Sequence, residues 1–394
     1  MAGASMALAI MAGVASAKDT PGVTATEIKI GQTMPYSGPA SSYGTIGKGE
    51  AAFFKMINDA GGINGRKINL ISVDDGYSPP KTVEQVRKLV ESDGVAFIFQ
   101  SLGTAPNTAI QKYLQQKQVP QLFVATGADK WSEHTANPWT MGWQPSYRVE
   151  ARIYAKYILK EKADAKICVL YQNDDFGKDY LIGLRDVFGP KYAAMVVKEA
   201  SYEVTDPTVD SQVVSLQAAG CNTLLTAATP KFAAQTIRKV FDVGWKPMHF
   251  VSNVSISVAS VLTPAGLDKS VGIITGAYLK DPTDPAFDND PGMNEWRAFM
   301  KKYLPDADTK DVNYVYAYGV ATTLVQVLKQ CGNDLSRENI MKQAASLKHL
   351  KLAVGLPGSE INTGPEDFRP FSQMQLAKFN GKSFDRFGEV LSSD

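Results

Sequence analysis

Short apolar runs of strand character alternate with longer segments of helical period along most of this chain, and few folds accommodate that alternation. Glu27-Ile-Lys-Ile-Gly-Gln-Thr33 reads as a strand, Ile46 to Ala60 as a helix with Ala51, Phe54 and Ile57 on one side, and Lys67 to Val73 as the next strand. Lys81 to Ser92 continues as a helix and Val95-Ala-Phe-Ile-Phe99 as a third strand. Strands that alternate with helices in this way form βαβ units, whose parallel sheet is covered by helices.

The pattern restarts after Trp143-Gln-Pro-Ser146, with helices predicted over Arg148–Leu159, Lys178–Phe188, Val209–Ala219 and Lys231–Val243. Strands are predicted between them at Lys166–Tyr171, Ala194–Ala200 and Thr223–Thr226, so two α/β units follow one another. A third block holds a strand at Gly272–Ala277, helices near Glu295–Tyr303, Val312–Gln330 and Glu338–Ala345, and a closing hairpin that turns at Asn380-Gly381. A chain of 394 residues has length for two to three such cores.

The 41 basic and 40 acidic residues nearly cancel, and no long basic run recommends nucleic acid or an anionic membrane as partner. Met1 to Ala17 is an apolar run ending in Ala15-Ser16-Ala17, the pattern of a secretory signal and its cleavage site. The usual basic stretch in front is missing, which leaves either a signal truncated by a late start or an unprocessed apolar helix. The run is shorter than the ~20 residues a membrane span needs, so the mature chain is expected to be soluble and exported.

Cys168, Cys221 and Cys331 fit no zinc spacing. Export permits one disulfide, but the strand-like surroundings of Cys168 favour buried thiols acting as small apolar residues. The three histidines are too scattered for a metal cluster. No Walker loop, Gly-x-Ser-x-Gly elbow, His-Glu-x-x-His helix or dinucleotide fingerprint is present, so neither an enzyme nor a cofactor is expected. The pairs Asp74-Asp75 and Asp174-Asp175 read as turn residues beside glycine.

Six segments resemble, in order, the leucine/isoleucine/valine-binding family of transporter receptors, the type I periplasmic binding proteins. They are Met34-Pro-Tyr-Ser-Gly-Pro-Ala-Ser-Ser-Tyr-Gly44, Ile57-Asn-Asp-Ala-Gly-Gly-Ile-Asn-Gly-Arg-Lys67, Asp74-Asp-Gly-Tyr-Ser-Pro-Pro80, Leu89 to Phe99, Tyr171-Gln-Asn-Asp-Asp-Phe-Gly177 and Tyr314-Val-Tyr-Ala-Tyr-Gly319. The resemblance implies an α/β fold of two Rossmann-like lobes joined by three crossovers, a Venus-flytrap that closes on its ligand. Lobe one is expected over residues 18–142 and 280–356, and lobe two over 143–279 and 357–394. The implied role is an extracytoplasmic, periplasmic receptor whose partners are a small-molecule ligand and the permease subunits of an ABC transporter. The sensing domain of a signalling receptor is the alternative, although such a sensor normally carries a membrane span or output domain.

A parallel sheet binds ligands beyond the carboxyl ends of its strands. Gln100-Ser-Leu-Gly-Thr-Ala-Pro106 follows one such end, and Pro106 suits a first helical turn, so free N–H groups there favour an anion. From the spacing alone Ser101 or Thr104 is a helix cap; the resemblance implies that both hold a ligand carboxylate, with Gln100 and Leu102 beside them. It further implies backbone contacts at Ala125 and Thr126, aromatic contacts at Tyr43 and Phe176, and contacts from the loops holding Thr229, Asn253 and Val254. The family holds an ammonium with an acid and a hydroxyl, but Val254 and Gly127 stand at those positions. A carboxylic acid with an apolar or aromatic body is therefore expected, unless Ser252, Asn253 or Ser255 receives an ammonium instead.

Overall fold

The computed structural model describes residues 20–392, so the signal-like reading of residues 1–17 lies outside the described residues. Two sheets organise the chain. The first has the order β2-β1-β3-β4-β5, built from β1 (Glu27–Met34), β2 (Lys67–Asp74), β3 (Ile98–Phe99), β4 (Gln121–Val124) and β5 (Thr140–Gly142), and its neighbours are all parallel. The helices α1 (Gly44–Asp59), α2 (Pro79–Glu91) and α3 (Thr104–Lys117) follow its strands. The third strand shrinks to two residues, yet Ala96 N–H still donates to Lys29 O at 2.8 Å and Gly31 N–H to Phe97 O at 3.0 Å, so the chain runs beside β1 as expected.

The second sheet has the order β12-β11-β10-β9-β8-β6-β7. Its strands are β6 (Ile167–Gln172), β7 (Val196–Tyr202), β8 (Thr223–Ala227), β9 (Met248–Val251), β10 (Ile274–Ala277), β11 (Gln373–Phe379) and β12 (Phe384–Ser392). β6 to β10 are parallel, while β11 and β12 form the expected hairpin and attach antiparallel at the β10 edge. Its helices are α4 (Tyr147–Glu161), α5 (Asp175–Phe188), the short α6 (Tyr192–Met195), α7 (Asp210–Ala218), α8 (Pro230–Asp242) and the short α9 (Thr263–Ala265). Central strands such as Thr223–Ala227 are buried at every residue, as a sheet covered on both faces demands.

After β10 the chain leaves the second sheet. The helices α10 (Pro291–Tyr303) and α11 (Val312–Cys331) pack back on α1, where Phe53 meets Phe299 and Tyr318 at ring separations of 6.0 and 4.9 Å, and α12 (Arg337–Ala344) packs on α11. The close approach of α1 and α11 depends on Gly49, since a Cβ there would lie 2.7 Å from Ala317 Cβ.

The expectation of three unpaired thiols is corrected. Cys168 and Cys221 form a disulfide, with Cα atoms 5.8 Å apart, while Cys331 is free and buried. β6 and β8 are neighbours, Cys168 pairing with Leu224 in register, and this sets Cys221 just before β8 beside Cys168. That adjacency belongs to strand order, which spacing along the chain does not reveal.

Asp74 takes the turn role expected of it. Asp74 Oδ1 accepts from the N–H groups of Tyr36, Ser37 and Gly76 at 2.9, 3.1 and 3.0 Å. Burial pushes its carboxyl up, but hydrogen bonds from Ser37, Gly76 and Lys81 outweigh that and bring it to about 2. Asp74 thus fastens the loop after β1 to the end of β2.

Candidate functional site

The carboxyl ends of both sheets point at one cavity. From the first unit, Tyr43 and Ile46 follow β1, Tyr77 follows β2, Leu102, Gly103 and Thr104 follow β3, and Ala125 follows β4. From the second, Phe176, Thr229, Asn253, Val254 and Tyr278 stand after β6, β8, β9 and β10. Gln144, Tyr147 and Tyr316 complete the wall from the segment joining the units, the first turn of α4 and α11.

Helix α3 opens on this cavity. Its first i→i−4 bond runs from Asn107 N–H to Gly103 O at 3.0 Å, so the amides of Thr104 and Ala105 precede the internal ladder and offer an anion-binding end. Gly103 (φ +100°) allows that approach: a Cβ there would fall 2.4 Å from Tyr77 Cε2. Tyr77, Gln100 and Phe123 also hold left-handed backbone, at φ 60°, 53° and 53°. Gln100 Nε2 donates to Phe123 O and braces two of these loops together. Non-glycine residues in this region cost free energy and persist where surrounding structure over-determines them.

Two glutamines fix the hydroxyls in the wall. Tyr316 OH donates to Gln144 Oε1 at 3.2 Å, and Gln144 Nε2 donates to the Tyr147 oxygen at 3.3 Å. Across the cavity, Tyr202 OH donates to Gln172 Oε1 at 3.1 Å, and Gln172 Nε2 reaches the Tyr77 oxygen at 3.4 Å. Each amide thus donates to a tyrosine oxygen of the wall, and both phenols keep a hydrogen to donate. Burial pushes both phenols well up, so they serve as neutral donors.

The aromatic walls are packed ring on ring, with Tyr147 stacked on Tyr180 and tilted against Phe176 and with Trp143 edge to face on Tyr316 and Tyr278. Tyr147 lies 4.6 Å from Phe176 and 5.6 Å from Tyr180, and Trp143 lies 5.0 Å from Tyr316 and 6.3 Å from Tyr278. Tyr147 also accounts for Gly127, where a Cβ would lie 2.9 Å from Tyr147 Cε1 and 2.5 Å from Pro145 O. The ring fills the place that a hydroxyl-bearing side chain would need.

Of the residues singled out from sequence, Tyr43, Leu102, Thr104, Ala125, Phe176, Thr229, Asn253 and Val254 line the cavity together. Gln100, Ser101 and Thr126 sit behind its wall. Ser101 Oγ accepts from Thr33 N–H at 3.2 Å, and Thr126 Oγ1 lies 2.5 Å from Thr104 Oγ1. Tyr43 OH donates to Val254 O at 3.1 Å, so this tyrosine joins the two units directly. Sequence reading missed Tyr77, Gln144, Tyr147, Tyr278 and Tyr316, although Tyr316 lies inside a motif already recognised, Tyr314-Val-Tyr-Ala-Tyr-Gly319.

Charge in the wall is mostly engaged. Asp284 Oδ2 accepts from Arg386 Nε at 3.3 Å, and Asp281 Oδ1 accepts from the Thr283 N–H at 2.7 Å and hydroxyl at 2.5 Å. Burial pushes the Asp281 carboxyl up to about 6. Behind Asn253, fully buried Glu150 accepts from four donors, and burial pushes its carboxyl up against their pull. Among the described residues no group of histidine, cysteine and carboxylate side chains is placed to hold a metal ion, and no helix is long and apolar enough to cross a membrane.

Two α/β units closing on an aromatic cavity lined at their strand ends define a ligand-binding clamp. Residues 27–383 match the family described as periplasmic binding protein, and the chain belongs to that family of substrate-binding receptors, with the extracytoplasmic setting its name carries. It is 29% identical over 343 residues to the Leu/Ile/Val-binding protein homolog 1 of Brucella suis, covering 82% of this chain and 84% of that one. Among solved structures, a branched chain amino acid ABC transporter protein from Thermus thermophilus with bound valine superposes at TM-score 0.83 and 16% identity, over 93% of this chain and 97% of that one. A fatty acid ABC transporter substrate-binding protein from Thermomonospora curvata does so at 0.76 and 20% identity, over 95% of each chain. The two structural likenesses establish the type I periplasmic binding protein fold.

Proposed function

We propose that this protein is the extracytoplasmic substrate-binding protein of an ABC importer and that it captures a small organic carboxylate with an aromatic or apolar body. The observation that carries the reading is the amino end of α3, which opens on the cavity beside Tyr77, with the Tyr147 hydroxyl in the same wall. Backbone amides and neutral phenols together suit a carboxylate, and the rings of Phe176, Tyr278 and Tyr316 with Leu102 and Val254 suit its body. Capture proceeds by closure of two lobes, residues 18–142 with 280–356 and residues 143–279 with 357–394, and delivery is to permease subunits. The protein binds and performs no chemistry on its ligand.

The names of the Brucella relative and the Thermus neighbour favour an amino acid instead. Against it, Asp284 is already paired with Arg386 and Val254 is apolar, so that Asp281, whose hydrogen bonds come from neutral Thr283, is the carboxylate an ammonium would have to use. Burying an ammonium without an anionic partner costs several kcal/mol. A thermal-shift panel of aromatic and aliphatic carboxylates against the matching α-amino acids tests the reading. A bound acid at a hundredfold excess over its Kd should stabilise the fold by about 2.7 kcal/mol. Stabilisation by leucine or another α-amino acid, with none from the deaminated analogues, would establish the amino-acid reading, and recovery of altered ligand would rule out a pure receptor.

A further inference from the structure

Asn253 stands in the cavity wall with an orientation that the protein imposes on it. Its backbone N–H donates to Glu150 Oε1 at 2.8 Å, and its Nδ2 donates to Glu150 Oε2. Tyr154 OH donates to the same Oε1 and Tyr180 OH to the same Oε2, the latter at 2.7 Å. The Tyr154 oxygen accepts from Gly276 N–H at 2.9 Å, which turns its hydrogen toward the carboxylate. Both oxygens of Glu150 thus accept from groups that include two N–H donors unable to accept in return.

Reversing the Asn253 amide would press its Oδ1 on Glu150 Oε2, two acceptors in contact at a buried site. The amide is therefore locked, with Nδ2 facing inward and Oδ1 left on the cavity side, where no donor of the described residues reaches it. Its sequence neighbours in the wall, Val254 and Ile256, carry apolar side chains, and the Tyr43 hydroxyl beside them is turned to Val254 O. A dry ligand body laid against Asn253 would leave its Oδ1 unsatisfied, at a cost of about 1–3 kcal/mol.

We infer that Asn253 determines specificity by requiring a hydroxyl on the ligand, so that the preferred ligand is a hydroxycarboxylate whose hydroxyl lies across the cavity from its carboxylate. Glu150 acts as the positioning residue, because it decides which end of the Asn253 amide the ligand meets. The inference rests on the carboxylate reading above. A neutral hydroxyl needs one acceptor, which Asn253 supplies; an ammonium would bring three donors and a charge to that single oxygen.

Calorimetric titration of the full chain with matched ligands tests this: 3-phenylpropionate, its para-hydroxy counterpart and tyrosine, alongside hexanoate, 6-hydroxyhexanoate and 6-hydroxynorleucine. The expected result is that a hydroxylated acid binds at least tenfold more tightly than its deoxy partner. Asn253→Ala should reduce that ratio to less than threefold by weakening the hydroxylated acid and tightening the deoxy acid, and Glu150→Gln, which frees the amide to turn, should reduce it in the same way, a pattern that general loosening of the fold would not produce. Equal or tighter binding of the deoxy acid by the native chain, or an undiminished ratio in the folded Asn253→Ala protein, overturns the inference and leaves the carboxylate reading standing. Binding of the amino acids alone, or of none of these acids, overturns both.

Discussion

The first α/β unit brings backbone amides to the cavity at the amino end of α3, beside the rings of Tyr43 and Tyr77, whereas the second reaches it with side chains held from behind. On the first side the amino end of α3 and the left-handed residues Tyr77, Gln100 and Gly103 shape the surface. Beyond the cavity, Asn253 takes its orientation from Glu150, Tyr154 and Tyr180, none of which lines the wall. Backbone amides recognise a carboxylate whatever body it carries, while a locked side chain can discriminate among bodies. On the reading proposed above, the division assigns the shared chemistry of the ligands to one unit and selectivity to the other.

The largest expected effect concerns stability, because the disulfide lies in the second unit. Replacing Cys168 and Cys221 together with Ser releases a 53-residue separation and should cost about 4 kcal/mol by loop entropy. Urea unfolding followed with and without reductant measures it, and an unchanged midpoint would mean that the bond contributes little to holding this unit.

Truncating Glu150 to Ala tests the side-chain half of the comparison more directly. It strands the donors of Asn253, Tyr154 and Tyr180 in a buried site, and a loss of about 3 kcal/mol is expected in thermal or chemical unfolding. A loss below about 0.5 kcal/mol would show that the network is not supporting the wall.

The backbone half is tested by Gly103→Ala. The added methyl would meet the Tyr77 ring at 2.4 Å, so α3 and Tyr77 must separate. Affinity for a bound carboxylate should fall at least tenfold, about 1.4 kcal/mol. Gly65→Ala is the control: it too has positive φ, +80°, but open space around it, so it should alter stability and leave affinity unchanged. Equal affinities for the two variants would remove α3 from the site.

The fourth expected effect is a pH dependence where the units meet. Asp179 of α5 accepts from Asp129 N–H at 2.7 Å, and burial pushes its carboxyl from 3.8 up to about 7, helped by the charges of Asp129 and Asp175 and opposed by that N–H and Arg148. The folded state holds this proton more tightly than the unfolded chain, so the group's contribution to stability falls as pH rises from about 4 to about 7. Asp179→Asn keeps an acceptor and loses the titration. The difference in Tm should therefore shift in favour of the variant between pH 5 and pH 8, and a constant difference would place the titration elsewhere.

Much of the fold was legible because strand and helix periods are local properties. The hairpin at Asn380-Gly381 and the helix Val312–Cys331 follow from turn chemistry and apolar spacing. Part of the cavity was legible for the same reason: Thr104 and Ala125 follow strand ends, and strand ends are where parallel sheets open. Tyr147 was not. It falls just before the helix predicted over Arg148–Leu159, and only the contact with Gly127 shows that its ring takes up the space in the wall.

The chain by itself determines two α/β units, the loops that end their strands and the absence of recognisable catalytic motifs, because each depends on residues near one another in sequence. The tertiary structure alone decides that Cys168 meets Cys221, that Ser101 turns toward Thr33, and that Glu150 fixes Asn253 across 103 positions. Those outcomes depend on strand order and side-chain direction, which bring together residues that no local pattern connects.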